Sequence, residues 1–327
     1  MKIISYLLAI LVITGSVFYY GCDDSGKIPV EESAGQVILT QNINFLPLDP
    51  ATEGYYNLFL VLTDSFGTPR SVHLGRFNVT SSGEIVDENG NPKTLTVPEN
   101  DTVDIERSLY SVISIDVAPV VFPGLSRILA GPVTVHRDSV TARLLMSDTA
   151  AVGSSMNAIL SSNSVLYIIN APTGNAGDCS KGLWFCGQDG NSSWNPGSAL
   201  IPNRGWIYQG FIKNRSTGEV FSTGRFHDPE QPDFDGAGTC ADTFGTAYNK
   251  PGQDWVKPGC SNVSRIDDGN YEAFVTLQPE SRAETLPPFV LKLYRQQNII
   301  VNLGCNRVDN VFTQRQNFPD VNLRITR

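Results

Sequence analysis

Gly54-Tyr55-Tyr56-Asn57-Leu58-Phe59-Leu60 leads through a turn to Leu74-Gly75-Arg76-Phe77, and Trp206-Ile207-Tyr208-Gln209-Gly210-Phe211-Ile212 leads in the same way to Thr223-Gly224-Arg225-Phe226. An internal repeat of this kind organises the whole chain. Further on, Ser114-Ile115-Asp116-Val117-Ala118-Pro119 answers Phe274-Val275-Thr276-Leu277-Gln278-Pro279, and Ser126 to Gly131 sits where Phe289 to Leu293 does. Each block reads as a strand. Ile113, Ile115 and Val117 alternate with Ser114, Asp116 and Ala118, a period of two with one apolar face. Asp64-Ser65-Phe66-Gly67-Thr68-Pro69 and Asn214-Arg215-Ser216-Thr217-Gly218 carry the residues that fold the first strand back on the second. Hairpins are therefore expected in both copies.

Outward from the repeat, the class is all-β, with two β-sandwich-like modules from an internal duplication after an N-terminal signal peptide. The first module runs over residues 36–135, a connector over 136–155 and the second, elaborated module over 156–327. Ser139 to Asp148 in the connector reads as a strand or a short helix. The length of 327 residues and 41% hydrophobic content are enough for two cores, which excludes disorder throughout. Charged residues make up 17%, below the roughly 25% of ordinary soluble domains, while 29 Gly and 20 Pro indicate many turns. Of those Gly, 15 lie between Gly174 and Cys260, so the second module carries the long loops where binding surfaces form. The formal net charge of -9 repels a phosphate backbone and argues against nucleic acid as a partner.

Met1-Lys2 is followed by an apolar run from Ile3 to Tyr20 that ends at Gly21-Cys22, after which Asp23-Asp24-Ser25-Gly26-Lys27 is abruptly polar. This has the build of a secretory signal and is marginally short for a spanning helix. Here the chain resembles bacterial lipoproteins, with residues 1–21 as signal peptide. The resemblance implies that a peptidase cuts before Cys22 and that Cys22 carries lipid, palmitate among its acyl chains. It departs from the family pattern at Tyr19, where an aliphatic residue is usual; an uncleaved single-pass anchor or a signal cut elsewhere is the competing reading. Residues 22–35 then form an acidic flexible tether. Two acyl chains suffice for stable anchoring where one alone does not. The resemblance places the protein outside the cytoplasm on a bacterial membrane, in the cell envelope, and leaves inner membrane, outer membrane and cell surface open.

Export permits disulfides. Besides Cys22 there are Cys179, Cys186, Cys240, Cys260 and Cys305, an odd number, and the pairs Cys179 with Cys186 and Cys240 with Cys260 are the closest in sequence. The aromatic strand, the turn, the small-Gly-Arg-Phe block and an apolar strand ending in Pro together resemble the extracytoplasmic domain of anti-sigma-K factors. That likeness implies a domain type and, as an alternative role, an extracytoplasmic sensor. Only Met1 and Lys2 precede the apolar run, so the cytoplasmic part through which that family binds a sigma factor has no counterpart.

Candidate chemistry is sparse. Arg76 and Arg225 could both hold an anion, but Gly for a bulge, Phe inward and Arg outward to a carboxylate explains the same block. Asp228, Asp233 and Asp235 around a Gly-tightened turn are the candidate calcium ligands, although a plain acidic turn accounts for them too. Trp194 and Trp255 are candidate glycan-stacking platforms. Gly-x-Ser-x-Gly, His-Glu-x-x-His, the phosphate-binding loop and the dinucleotide fingerprint are missing, and three His leave little scope for triads. The expectation is a non-catalytic binding or envelope-assembly protein with no cofactor beyond candidate calcium. A glycan-directed binding protein or hydrolase in the second module is the alternative.

Overall fold

A computed structural model describes residues 35–98, 105–157, 164–170, 182–186, 201–228, 234, 266, 268–296, 310–314 and 317–326. The protein is all-β. In chain order the strands are β1 (Gln36–Ile43), β2 (Tyr55–Thr63), β3 (Pro69–Val79), β4 (Ile85–Val86), β5 (Leu95–Thr96), β6 (Ser108–Asp116), β7 (Arg127–Val135) and β8 (Ser139–Leu145). There follow β9 (Ser164–Asn170), β10 (Gly182–Cys186), β11 (Trp206–Asn214), β12 (Val220–Phe226), β13 (Tyr271–Pro279), β14 (Lys292–Gln296), β15 (Asn310–Gln314) and β16 (Asp320–Thr326). They build a nine-stranded sheet, ordered β4-β3-β2-β6-β7-β8-β16-β1-β5, and a seven-stranded sheet, ordered β10-β9-β15-β14-β13-β11-β12. Among the described residues no helix is long and apolar enough to cross a membrane.

The duplication is written into both sheets. The run β3-β2-β6-β7-β8 in one has the same order as β12-β11-β13-β14-β15 in the other. Tyr56 pairs with Phe77 and Asn57 with Arg76 as Tyr208 pairs with Phe226 and Gln209 with Arg225. Just beyond, both ladders slip register, at Leu74-Gly75 and at Thr223-Gly224. A second slip falls beside Ile113 in β6 and beside Val275 in β13. Bulges that recur at matching places mark the same bend in each copy.

Register also corrects the later blocks of the repeat by two residues. Tyr56 faces Ile115 and Tyr208 faces Leu277, so Ile115 matches Leu277, and Asp116 matches Gln278. The backbone repeats this, because Ile115 N–H donates to the Ser126 carbonyl and Leu277 N–H to the Leu291 carbonyl, each at 2.9 Å. A slip of two preserves the inward and outward faces of a strand, so hydropathy alone does not distinguish the two alignments.

The turns follow their side chains. Asp64 Oδ1 accepts from Phe66 N and Thr68 N, and Asn214 Oδ1 accepts from Ser216 N and Thr217 N. These backbone donors hold the Asp64 carboxyl below the usual carboxylate range. The strands behind the turns are covered on both faces: Tyr56 to Leu60 are all buried, as is every residue of β13. One continuous core joins Tyr56, Phe77 and Ile113 of the first copy with Trp206, Tyr208 and Val275 of the second.

Sheet membership crosses the segment boundaries read from sequence. Residues 139–145 of the connector form β8 of the nine-stranded sheet, and β16, assigned to the second module, lies between β8 and β1 of that same sheet. Val321, Leu323 and Ile325 of β16 are buried, and pairing on both sides removes the open edges that β8 and β1 would otherwise present. Ala34–Arg327 accordingly form one compact unit.

Candidate functional site at the junction of the two copies

The repeated Gly-Arg-Phe block is structural. Phe77 and Phe226 are buried at the ends of β3 and β12, and each Arg reaches across to the chain leaving β6 or β13. Arg76 Nη2 donates to the Val117 carbonyl at 2.6 Å and Arg225 Nη2 to the Glu280 carbonyl at 2.7 Å. Arg76 also pairs with Glu88 at 2.9 Å and lies 4.1 Å over the Tyr55 ring. Both guanidiniums thus pin the segment that follows β6 or β13.

Those two segments, and the chain entering β2 and β11, meet each other. Glu53 stands three residues before Tyr56, and Gly205 three before Tyr208. Val290 N–H donates to Glu53 Oε1 at 2.8 Å, while a Cβ on Gly205 would come within 2.4 Å of the Leu125 carbonyl oxygen. Val290 and Leu125 are matching residues, since Lys292 N–H and Arg127 N–H reach back to them alike. Residue i of one copy therefore touches j of the other and the converse, the signature of packing about a two-fold axis. Trp206 Nε1 donating to the Arg127 carbonyl at 2.9 Å tightens one side of this junction. One Arg282 hydrogen bond tightens the other, from Nε to the Thr52 carbonyl at 3.1 Å, while Nη1 donates to Gln278 Oε1 of its own copy at 3.1 Å.

Between the copies lies a cavity of about 420 Å³, lined by apolar side chains of Ile115, Val117, Val120 and Leu286 and by three ionisable ones, Glu53, Asp116 and Arg282. Its size lies within the range of small-molecule and side-chain pockets. Glu53 is 8% exposed and Arg282 6%. Burial pushes the Glu53 carboxyl up, against the N–H groups of Asp49 and Val290 that favour its charge, and burial lowers the Arg282 pKa against the nearby Glu53 and Asp49. Both have their polar atoms committed to the frame.

Asp116 differs. In the second copy its counterpart Gln278 sits in a satisfied chain: Gln278 Nε2 donates to Gln209 Oε1 at 2.7 Å, and Gln209 Nε2 donates to Ser222 Oγ at 2.9 Å. In the first copy Ser114 Oγ and Asn57 Nδ2 both donate to Asp116 Oδ2. A carboxylate has no N–H to return, so Asn57 Oδ1, in a fully buried residue, has no hydrogen-bond partner. Among the described residues no salt bridge joins Asp116 to a cation, and burial raises its pKa against the Ser114 and Asn57 hydrogen bonds and the Arg76 charge that favour the carboxylate. Beside it the loop from Val117 to Leu125 contains no charged residue and exposes Val117 (62%), Val121 (74%), Phe122 (67%) and Leu125 (55%). An exposed apolar loop thus borders, through Val117, Ala118 and Val120, a cavity holding an acceptor-only polar group.

Of the residues singled out from sequence as ligands, disulfides or stacking platforms, the two that are described, Cys186 and Asp228, do not line this cavity. Cys22, Cys179, Cys240, Cys260, Asp233, Asp235, Trp194 and Trp255 fall outside the described residues, as does the stretch 1–34. Cys186 closes β10, its backbone opposite Leu166. Asp228 stands two residues beyond β12. Among the described residues no three His, Cys, Asp or Glu side chains gather as metal ligands. Glu53, Asp116 and Arg282 escaped the sequence reading because two lie in polar connections and the third looks like an outward strand residue. The available signal was Asp116 opposite Gln278, visible only in the corrected register. No protein-family model, curated protein or solved structure matches the chain.

Proposed function

We propose that the protein is an extracytoplasmic bacterial lipoprotein, anchored through Cys22, that docks an envelope protein without catalysis over the junction of its two copies. The observation that carries this reading is the uncharged, exposed loop Val117 to Leu125 at the mouth of the junction cavity. Contiguous exposed apolar surface rimmed by polar residues is characteristic of protein interaction sites. A rigid frame with its binding loop between two locked copies needs little ordering on association, which favours docking. The N-terminal signal with Gly21-Cys22, followed by the acidic tether, supports the membrane anchor.

The test is purification of the full chain from detergent-solubilised envelope, followed by intact mass and identification of bound proteins. The expected mass lacks residues 1–21 and includes acyl chains, and a defined partner co-purifies. Phe122→Glu is expected to remove that partner. Phe66→Glu, in the turn between β2 and β3 and 92% exposed, is expected to retain it. A mass that keeps residues 1–21 without acyl groups contradicts the anchor; a partner indifferent to Phe122→Glu contradicts the docking surface. Retention of glycan in place of protein favours the glycan-directed alternative.

A further inference from the structure

Resting on that docking site, we infer that the junction cavity receives a lysine side chain presented by the partner, its ammonium bound to Asp116 Oδ1 and its methylene stem lying along the apolar wall. The ionisable side chains lining the cavity are two carboxylates and one guanidinium, Glu53, Asp116 and Arg282, so their formal charges sum to one negative. Glu53 and Arg282 are occupied: Glu53 accepts from Asp49 N at 2.9 Å and Val290 N at 2.8 Å, and Arg282 donates to Thr52, Gln278 and Pro287. Within the lining the charge left to balance is that of Asp116, since Arg76, which favours it electrostatically, lies outside the lining and is engaged with the Val117 carbonyl and Glu88.

The geometry of Asp116 selects among cations. Oδ2 already takes Ser114 Oγ and Asn57 Nδ2, and Oδ1, among the described residues, takes no hydrogen bond. A guanidinium gains its advantage from bidentate contact with both carboxylate oxygens, which is closed here. A calcium ion requires six or more oxygens, and among the described residues no three His, Cys, Asp or Glu side chains gather to supply them. An ammonium is a compact charge that one oxygen can receive, and its stem of four carbons buries well against apolar walls. Gly124 leaves room for this acceptor, because a Cβ there would lie 2.4 Å from Asp116 Oδ1. The second copy, with Gln278 in the equivalent position and an amide chain satisfied through Gln209, has no such unbalanced charge.

The test uses the full mature chain, methyl-labelled, titrated with Nα-acetyl-lysine methylamide, its norleucine counterpart and its arginine counterpart. The lysine compound is expected to shift the methyl signals of Ile115, Val117, Val120 and Leu286 and to bind at least about ten-fold more tightly than either other, a difference of about 1.4 kcal/mol. Asp116→Asn is expected to erase the preference. Ala118→Trp, an exposed position on the cavity wall, is expected to abolish all three titrations while leaving the rest of the spectrum folded. Equal binding of the norleucine or arginine compound, or a lysine preference that survives Asp116→Asn, overturns the lysine inference and leaves the docking site standing. Absence of any shift at these methyls overturns the inference; partner loss with Phe122→Glu then still decides the docking site.

Discussion

Glu53→Ala lowers the free energy of unfolding by about 3–5 kcal/mol, the largest loss expected of any single carboxylate in the described structure. Its two oxygens accept from Asp49 N and Val290 N, the first closing the turn before β2 and the second joining the two copies. Truncation leaves two part-buried backbone donors without their acceptor, each costing up to roughly 1–3 kcal/mol. It also removes the carboxylate that offsets burial of the Arg282 guanidinium. The comparison is Glu88→Ala, whose side chain is 54% exposed and whose pair with Arg76 is a surface contact worth at most about 1 kcal/mol. Urea denaturation of the three proteins measures the difference. A loss below about 1 kcal/mol for Glu53→Ala, close to that of Glu88→Ala, contradicts the role given to the clasp.

Gly205→Ala costs about 2–4 kcal/mol, through two effects that a second glycine separates. Gly205 has φ of +97°, a conformation that L side chains rarely adopt, and its Cβ would lie 2.4 Å from the Leu125 carbonyl oxygen and 2.5 Å from the carbonyl carbon. Neither atom belongs to a flexible side chain, so the copies themselves must separate. Gly218 shares the left-handed conformation, with φ of +77°, but nothing lies within 4 Å of its Cβ. Gly218→Ala therefore reports the backbone cost alone, about 1–2 kcal/mol. The excess at Gly205 measures the close approach at the junction. Equal losses at the two positions would show that the copies do not press together there.

The strands and hairpins were legible because period two, the Asp64 and Asn214 turns and the Gly-Arg-Phe block act within a few residues of one another. Two features required the folded chain. The alignment of β6 with β13 is ambiguous by two residues, since that slip keeps Ile115 and Leu277 on the inner face whichever partner is chosen. The destination of β16 is fixed by the open edges of β1 and β8, which no local pattern in Asp320–Thr326 records. The site was less legible than the fold. Glu53 and Arg282 become buried only when the turn before β2 meets the loop after β13, more than two hundred residues later in the chain. Asp116 stood in plain view in Ser114-Ile115-Asp116, but its meaning depends on Gln278 occupying the matching place.

Hydrogen–deuterium exchange of the full chain, compared between intact envelope and the purified protein, tests the docking site most directly. Peptides covering Val117 to Leu125 and Ser281 to Leu286 are expected to be protected in the envelope, while the Asp64 to Thr68 turn exchanges equally in both. Protection confined to other segments, with both rims of the junction cavity exchanging as fast in the envelope as in the purified protein, would contradict the account.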